Sequence, residues 1–223
     1  GRLDTAAETI GAVNSNLIFK GESKGSMKIL VKDLVKSYNQ IRLFHLSELE
    51  LKSGDIYCLM GPSGSGKTTF MRILLGLETA DEGTVTITEG THFTAVFQEN
   101  RLCESFSPLE NVMMVMRRPM GRSDLLDELG RILPAECLER PVSTLSGGMK
   151  RRVAVCRAML ADSDGVIMDE PFTGLDKETK QTVIRYIKER LNGRMLLVST
   201  HQAEDISFFE GKVIQLTGGN AND

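Results

Sequence analysis

Gly61-Pro62-Ser63-Gly64-Ser65-Gly66-Lys67-Thr68 follows a compact apolar run, Asp55 to Met60, and leads into Thr68 to Leu75, a stretch of helical composition that Gly76 can stop. The octapeptide fills GxxxxGK[ST] at every fixed position, between a predicted strand and a predicted helix, where that pattern has a mechanical meaning. Its glycines let the backbone curl so that successive N–H groups converge on phosphate oxygens. The helix that follows adds the positive end of its dipole. Lys67 is placed to reach β- and γ-phosphates and the Thr68 hydroxyl to ligate Mg²⁺, with Thr69 beside them. A Gly/Ser-rich surface turn would have no use for Lys-Thr in register behind the third glycine.

Working outward, the chain alternates strands with helices. Lys28 to Lys32 is short and β-branched, Leu49 and Leu51 alternate with Glu48 and Glu50, and Thr84–Thr88 and Phe93–Phe97 read as strands. Residues 99 to about 160 read as mostly helical, with Met149, Val153, Cys156 and Leu160 on one helix face. Strand patterns return at Val166–Met168, Met195–Val198 and Lys212–Leu216, and Asp176 can cap a helix whose apolar stripe is Val183, Ile184, Ile187 and Leu191. This order predicts an α/β fold: a mainly parallel sheet with covered faces, and residues 99–160 as a separate helical lobe. No internal repeat is visible. Residues 1–26 are small and polar and read as a leader added before a start at Met27, or as disordered, outside a single domain at 27–223.

The phosphate loop leaves several nucleotide-using classes open, and a second acidic motif narrows them. Asp169 ends an apolar strand, where its carboxylate can hold Mg²⁺; the adjacent Glu170 points the other way and can take a proton from an attacking water. No NKxD stretch is present, which counts against a GTPase.

Composition sets the outer bounds. A hydrophobic share of 41% supports a real core, and no stretch approaches the ~18 consecutive apolar residues of a membrane span, so a membrane role would need a partner. The net charge of −3 argues against a nucleic-acid binder, and the basic run Lys150-Arg151-Arg152 reads as a solvated helix face. Cys58, Cys103, Cys137 and Cys156 form no CxxC pair, so a reducing compartment is the simpler reading.

Leu145-Ser146-Gly147-Gly148-Met149, lying between the phosphate loop and the acidic pair, resembles the LSGGQ signature of ABC ATPases. The resemblance extends over Met27 to Leu216 and implies a P-loop NTPase of RecA-like core, with a small antiparallel β-subdomain and an inserted helical subdomain. It implies ATP and Mg²⁺ as ligands. It assigns Tyr38 to stacking on adenine, Gln98 to Mg²⁺, and Ser146, Gly147 and Gly148 to the nucleotide of an opposed subunit. Asp176 then matches the aspartate at the dimer interface, and His201 the histidine that contacts the γ-phosphate; Glu170, His201 and Lys67 form the catalytic set. Met149 stands where glutamine is usual and Thr173-Gly174 where Ser-Ala is common, and the short segment 84–98 implies a trimmed β-subdomain. His45 and His92 have no such context.

Within the family, Lys-Arg-Arg-Val after the signature, Asp-Glu-Pro-Phe at 169–172 and Val-Phe-Gln-Glu at 96–99 look like ATPases of nitrate, sulfonate and taurine importers. Glu139 to Thr144 lacks the Thr-x-Val-Gly-Glu common in exporters, and little follows the last strand to house a regulatory domain. The resemblance therefore implies an ATP-dependent homodimer on the cytoplasmic face of a membrane, serving permease subunits and, at system level, a solute-binding protein. The permease would dock near Gln98, against Arg101, Leu102, Phe106 and Leu109. An exporter or lipid-trafficking ATPase, and a non-transport ATPase acting on ribosomes or DNA, are the alternatives.

Overall fold

The computed structural model describes residues 16–21 and 27–217. Its centre is a five-stranded sheet of order β6-β7-β8-β4-β9, every neighbouring pair parallel: β4 (Ile56–Met60), β6 (Phe93–Val96), β7 (Gly165–Asp169), β8 (Met195–Ser199) and β9 (Lys212–Gln215). β7 and β8 are buried along their whole length, as expected of parallel strands covered on both faces. In register, Asp169 pairs with Ser199 and Leu59 with Ser199, so the polar ends of the central strands converge at one edge of the sheet.

A second sheet, of order β1-β5-β2-β3, joins β2 (Lys28–Tyr38), β3 (Ile41–Lys52) and β5 (Glu82–Thr88) in antiparallel pairs. Asn39 and Gln40 both take positive φ, 51° and 66°, the geometry of a two-residue hairpin turn. That hairpin spans 11- and 12-residue strands, so the subdomain is less trimmed than the short 84–98 segment suggests. Part of the stretch set aside as a leader also belongs to this sheet. β1 (Leu17–Lys20) pairs in parallel with β5, and the Asn16 amide donates to the Gly83 carbonyl at 3.0 Å. Residues 1–15 and 22–26 lie outside the described residues.

Helix α1 (Lys67–Leu74) packs between the sheets: Phe70, Ile73 and Leu74 share one core with Ile29, Val31 and Val85 of the second sheet and Leu59, Ile167 and Leu197 of the first. Phe70 meets Phe44 edge-on, with centroids 6.1 Å apart. Gly76, at φ 70°, stops the helix with Gly76 N–H bonded to Ile73 O and Leu77 N–H to Arg72 O, a Schellman termination. Because α1 carries the phosphate loop at its start, this core sets the position of the loop. Phe70→Ala is expected to cost about 3–5 kcal/mol by leaving a cavity in it, seen as a lower urea midpoint.

The lobe between β6 and β7 is less regular than the sequence suggested. It holds α2 (Pro108–Met113), α3 (Arg122–Leu129), two short 3₁₀ turns and the long α4 (Gly147–Leu160). Pro119, Pro134 and Pro141 interrupt the run because proline cannot continue a helix. Ser107 and Glu110 form a capping box at α2, and the buried Asn111 amide donates to the Cys103, Phe106 and Ser107 carbonyls, holding the turn where no helix forms. Two later helices, α5 (Lys177–Arg190) and α6 (Ala203–Phe209), flank the main sheet; Asp176 caps the first through Thr179 N–H at 2.9 Å, as its position implied.

Candidate functional site

The phosphate loop runs from the end of β4 into α1. Gly61, Gly64 and Gly66 all have positive φ, at 156°, 80° and 95°. At Gly66 a Cβ would lie 2.6 Å from the Phe44 ring and 2.8 Å from Leu43 Cγ, so only glycine lets α1 start so close to β3. At Gly64 the added carbon would face open space. The first turn of α1 has no side-chain cap, and the buried Ser65 Oγ has no hydrogen-bond partner. Open N–H groups at a helix start, around a cradle lined by glycine, suit the oxygens of a polyphosphate. Lys67 is buried across the curl, its ammonium donating to the Gly61 carbonyl at 2.8 Å and the Pro62 carbonyl at 3.0 Å. That holds the charge inside the loop.

Beside the loop, Thr68 Oγ1 donates to Asp169 Oδ2 at 2.6 Å, and Ser199 Oγ donates to Asp169 Oδ1 at 2.6 Å. Ser199 Oγ also accepts from the Glu170 N–H at 2.8 Å. Three backbone elements thus meet on one carboxylate. Glu170 itself has φ 47°, a left-handed conformation that costs a non-glycine residue about 1–2 kcal/mol. Its carboxylate lies 3.8 Å from His201 Nδ1. The loop bearing His201 is held from below: Lys180 of α5 pairs with Asp205 at 2.7 Å, both buried, and the Thr200 hydroxyl donates to the same carboxylate.

Tyr38, Leu43, Ser63, Gly64, Gly66, Lys67, Thr68, Thr69, Gln98 and Glu170 line one cleft of about 290 Å³. Glu170 and His201 also line a second, about 210 Å³, with Thr173, Gly174 and Gln202. A hydroxyl, a carboxylate and the Gln98 amide are hard oxygen donors suited to Mg²⁺. They are too few to enclose the ion without oxygens from a bound phosphate, the usual way Mg²⁺ is held. The residues therefore fit a metal–nucleotide pair.

Two of the expected residue groups stand apart from the cleft. Ser146 caps α4 through Met149 N–H at 3.2 Å, and Ser146 and Gly147 are exposed. Gly148 packs near Gly174 O, where a Cβ would come within 3.3 Å. Asp176 spends its carboxylate on capping; the Thr179 N–H and hydroxyl it accepts from hold its pKa below the ordinary range.

Some functional residues were misread or missed. Lys150-Arg151-Arg152 is not a solvated face. Arg151 is buried and donates to the Phe97 and Gln98 carbonyls, Arg152 donates to Ile132 O at 2.7 Å, and Lys150 pairs with Glu104 at 2.7 Å. Burial lowers the Arg151 pKa, opposed by the nearby Asp169 and Glu170. Ser199, which the sequence does not single out, joins the site through its bonds to Asp169 and Glu170, and two apolar strands each ending in polar residues are the signal that could point to it. Of the residues expected to receive a partner, Leu109 is buried in the lobe, whereas Phe106 is 41% exposed and the Arg101 guanidinium stacks 3.8 Å from the Phe97 ring centroid. His45 and His92 are substantially exposed, each near a carboxylate.

The chain is similar to known proteins in sequence and fold. The family model described as ABC transporter matches residues 44–173. The sulfate/thiosulfate import ATP-binding protein CysA of Bordetella pertussis is 31% identical over 215 residues, covering 86% of this chain and 60% of that protein. Its namesake from Methylococcus capsulatus is 30% identical, covering 86% and 61%. Among solved structures, a dimeric post-hydrolysis state of an ATP-binding cassette bound to ADP and Pi superposes with a TM-score of 0.72 at 27% identity, covering 85% of this chain and 94% of that one. The fold is that of an ABC ATPase cassette, a P-loop NTPase. The chain belongs to the ABC transporter family. It spans about 60% of the length of the curated relatives it matches.

Proposed function

We propose that this chain is the ATP-binding and ATP-hydrolysing subunit of an ABC membrane transporter, an importer. The observation that carries the ATPase reading is the convergence of Lys67, Thr68, Gln98 and Glu170 on one cleft, with Asp169 bonded to Thr68 behind it and His201 against Glu170. In this reading Tyr38 and Leu43 receive the adenine end, and Gly61 through Thr69 wrap the phosphates. Thr68, Asp169 and Gln98 would hold Mg²⁺, which when bound would supply positive charge against that of the phosphoryl group. Glu170 accepts the proton of the attacking water, and His201 keeps that carboxylate aimed and meets the γ-phosphate.

The exposed Ser146 and Gly147 at the start of α4 lie outside the cleft of their own chain. This supports a head-to-tail homodimer in which Ser146–Gly148 of one copy face the phosphate loop of the other, and Asp176 lies near the interface. Import is supported by the names of relatives, which point to sulfate and thiosulfate rather than to nitrate, sulfonates or taurine. No helix among the described residues is long and apolar enough to cross a membrane. The chain would act from the cytoplasmic face on separate permease subunits, with residues 27–223 as the ATPase domain and β1 joined to its second sheet.

Size-exclusion of Glu170→Gln with and without Mg-ATP tests this assembly. ATP held between subunits favours the pair by mass action, so a monomer–dimer shift on adding Mg-ATP is expected. A monomer at saturating ATP would overturn the sandwich.

A further inference from the structure

Tyr38 is an odd residue to leave half exposed unless something holds its ring. β2 and β3 lose register between Lys36 and Ser37, a bulge that re-aims side chains next to the hairpin turn. Lys36 is buried there, and its ammonium donates to Glu78 Oε1 at 3.1 Å and to the Thr79 carbonyl at 2.8 Å, with Asp81 at 3.7 Å. The segment bearing those groups is itself stitched to β2: Asp81 N–H donates to Val35 O at 2.9 Å, and Ser37 N–H to Asp81 Oδ2 at 2.6 Å. So the ammonium is fixed. It lies 5.0 Å from the centroid of the Tyr38 ring, within cation–π range.

We propose that Lys36 is a positioning residue for nucleotide recognition: its ammonium braces one face of Tyr38, so that the ring stands preorganised to stack a purine base against the other. This deepens the nucleotide reading of the cleft and rests on it. A braced ring loses less rotamer freedom on binding than a free one, so stacking yields more affinity. Lys36 reaches the base only through Tyr38, and its partners Glu78, Thr79 and Asp81 lie outside the phosphate loop.

The test separates base from phosphate. Affinities for Mg-ATP and for Mg-tripolyphosphate, which has no base, are measured for the parent, Lys36→Met, Lys36→Gln, Lys36→Arg, Tyr38→Ala and the Lys36→Met/Tyr38→Ala double variant. Loss of the cation is expected to weaken Mg-ATP about 3- to 10-fold and to leave tripolyphosphate within about twofold. Lys36→Arg, which keeps the charge, is expected to retain most of the affinity, and Lys36→Met to add nothing once Tyr38 is gone. Equal weakening of both ligands, or a Lys36 effect that persists without Tyr38, would overturn the proposal and mark Lys36 as a strut of the loop. Tyr38→Ala with unchanged ATP affinity would remove the stacking role and this inference with it. A parent that binds neither ligand would instead sink the nucleotide reading itself.

Discussion

Lys67→Ala is expected to weaken Mg-ATP binding by roughly 10²–10³-fold, the range for stripping a buried charge of its partner, while the fold persists. In the structure the ammonium is buried and points into the loop, donating to the Gly61 and Pro62 carbonyls. Those bonds fix it where phosphate negative charge would gather. Alanine removes the cation and leaves the N–H groups of the loop facing a polyanion alone. A hydrogen bond to a charged group contributes about 1.5–3 kcal/mol, so losing several together accounts for the size of the effect. The same deletion strips two carbonyls of a donor, but Gly61 is half-buried and Pro62 exposed, so water can replace it. Unfolding by urea should therefore change far less than nucleotide affinity does. Fluorescence titration with a labelled ATP analogue checks the first quantity, and near-parent affinity in a folded variant would remove the phosphate assignment.

Much of this site was legible before any coordinates, for a physical reason. A backbone that must curl round phosphate needs glycine at fixed places, and the sequence displays that need directly at Gly61, Gly64 and Gly66. Asp169 and Glu170 were legible because a parallel strand buried on both faces is apolar until it reaches the edge where ligands bind. Asp176 declared itself as a cap by standing one residue ahead of a helical stretch, and it caps. What stayed hidden depends on contacts distant in sequence. Arg151 looks like part of a basic surface run until α4 is seen to lie beside the loop after β6, where its guanidinium meets two carbonyls 53 and 54 residues away. Ser199 becomes part of the site only through the register that sets it beside Asp169. The strand at Leu17–Lys20 was unreadable because its short polar context carries no alternation; only pairing with β5 gives it a structure. The lobe's irregular turns follow from prolines whose individual effects are local but whose sum is not.

The last expected result concerns the step after binding. Glu170→Gln should bind Mg-ATP as the parent does and hydrolyse it about 10²–10⁴-fold more slowly, the usual contribution of a positioned general base. Three features single out this carboxylate. It sits in a strained left-handed conformation at the end of β7, held by its N–H bond to Ser199, and it lines both clefts. Its neighbour Asp169 is already engaged by two hydroxyls and cannot serve as base without giving up the Thr68 contact. And His201 lies 3.8 Å away, near enough to orient the carboxylate through a small movement. Glutamine keeps the shape and the backbone bond but has no carboxylate oxygen to take a proton, so binding and rate should separate. Single-turnover hydrolysis alongside equilibrium ATP binding measures the two. If Glu170→Gln turns over ATP at the parent rate, the proton leaves by another route and the base must be sought elsewhere among the cleft residues.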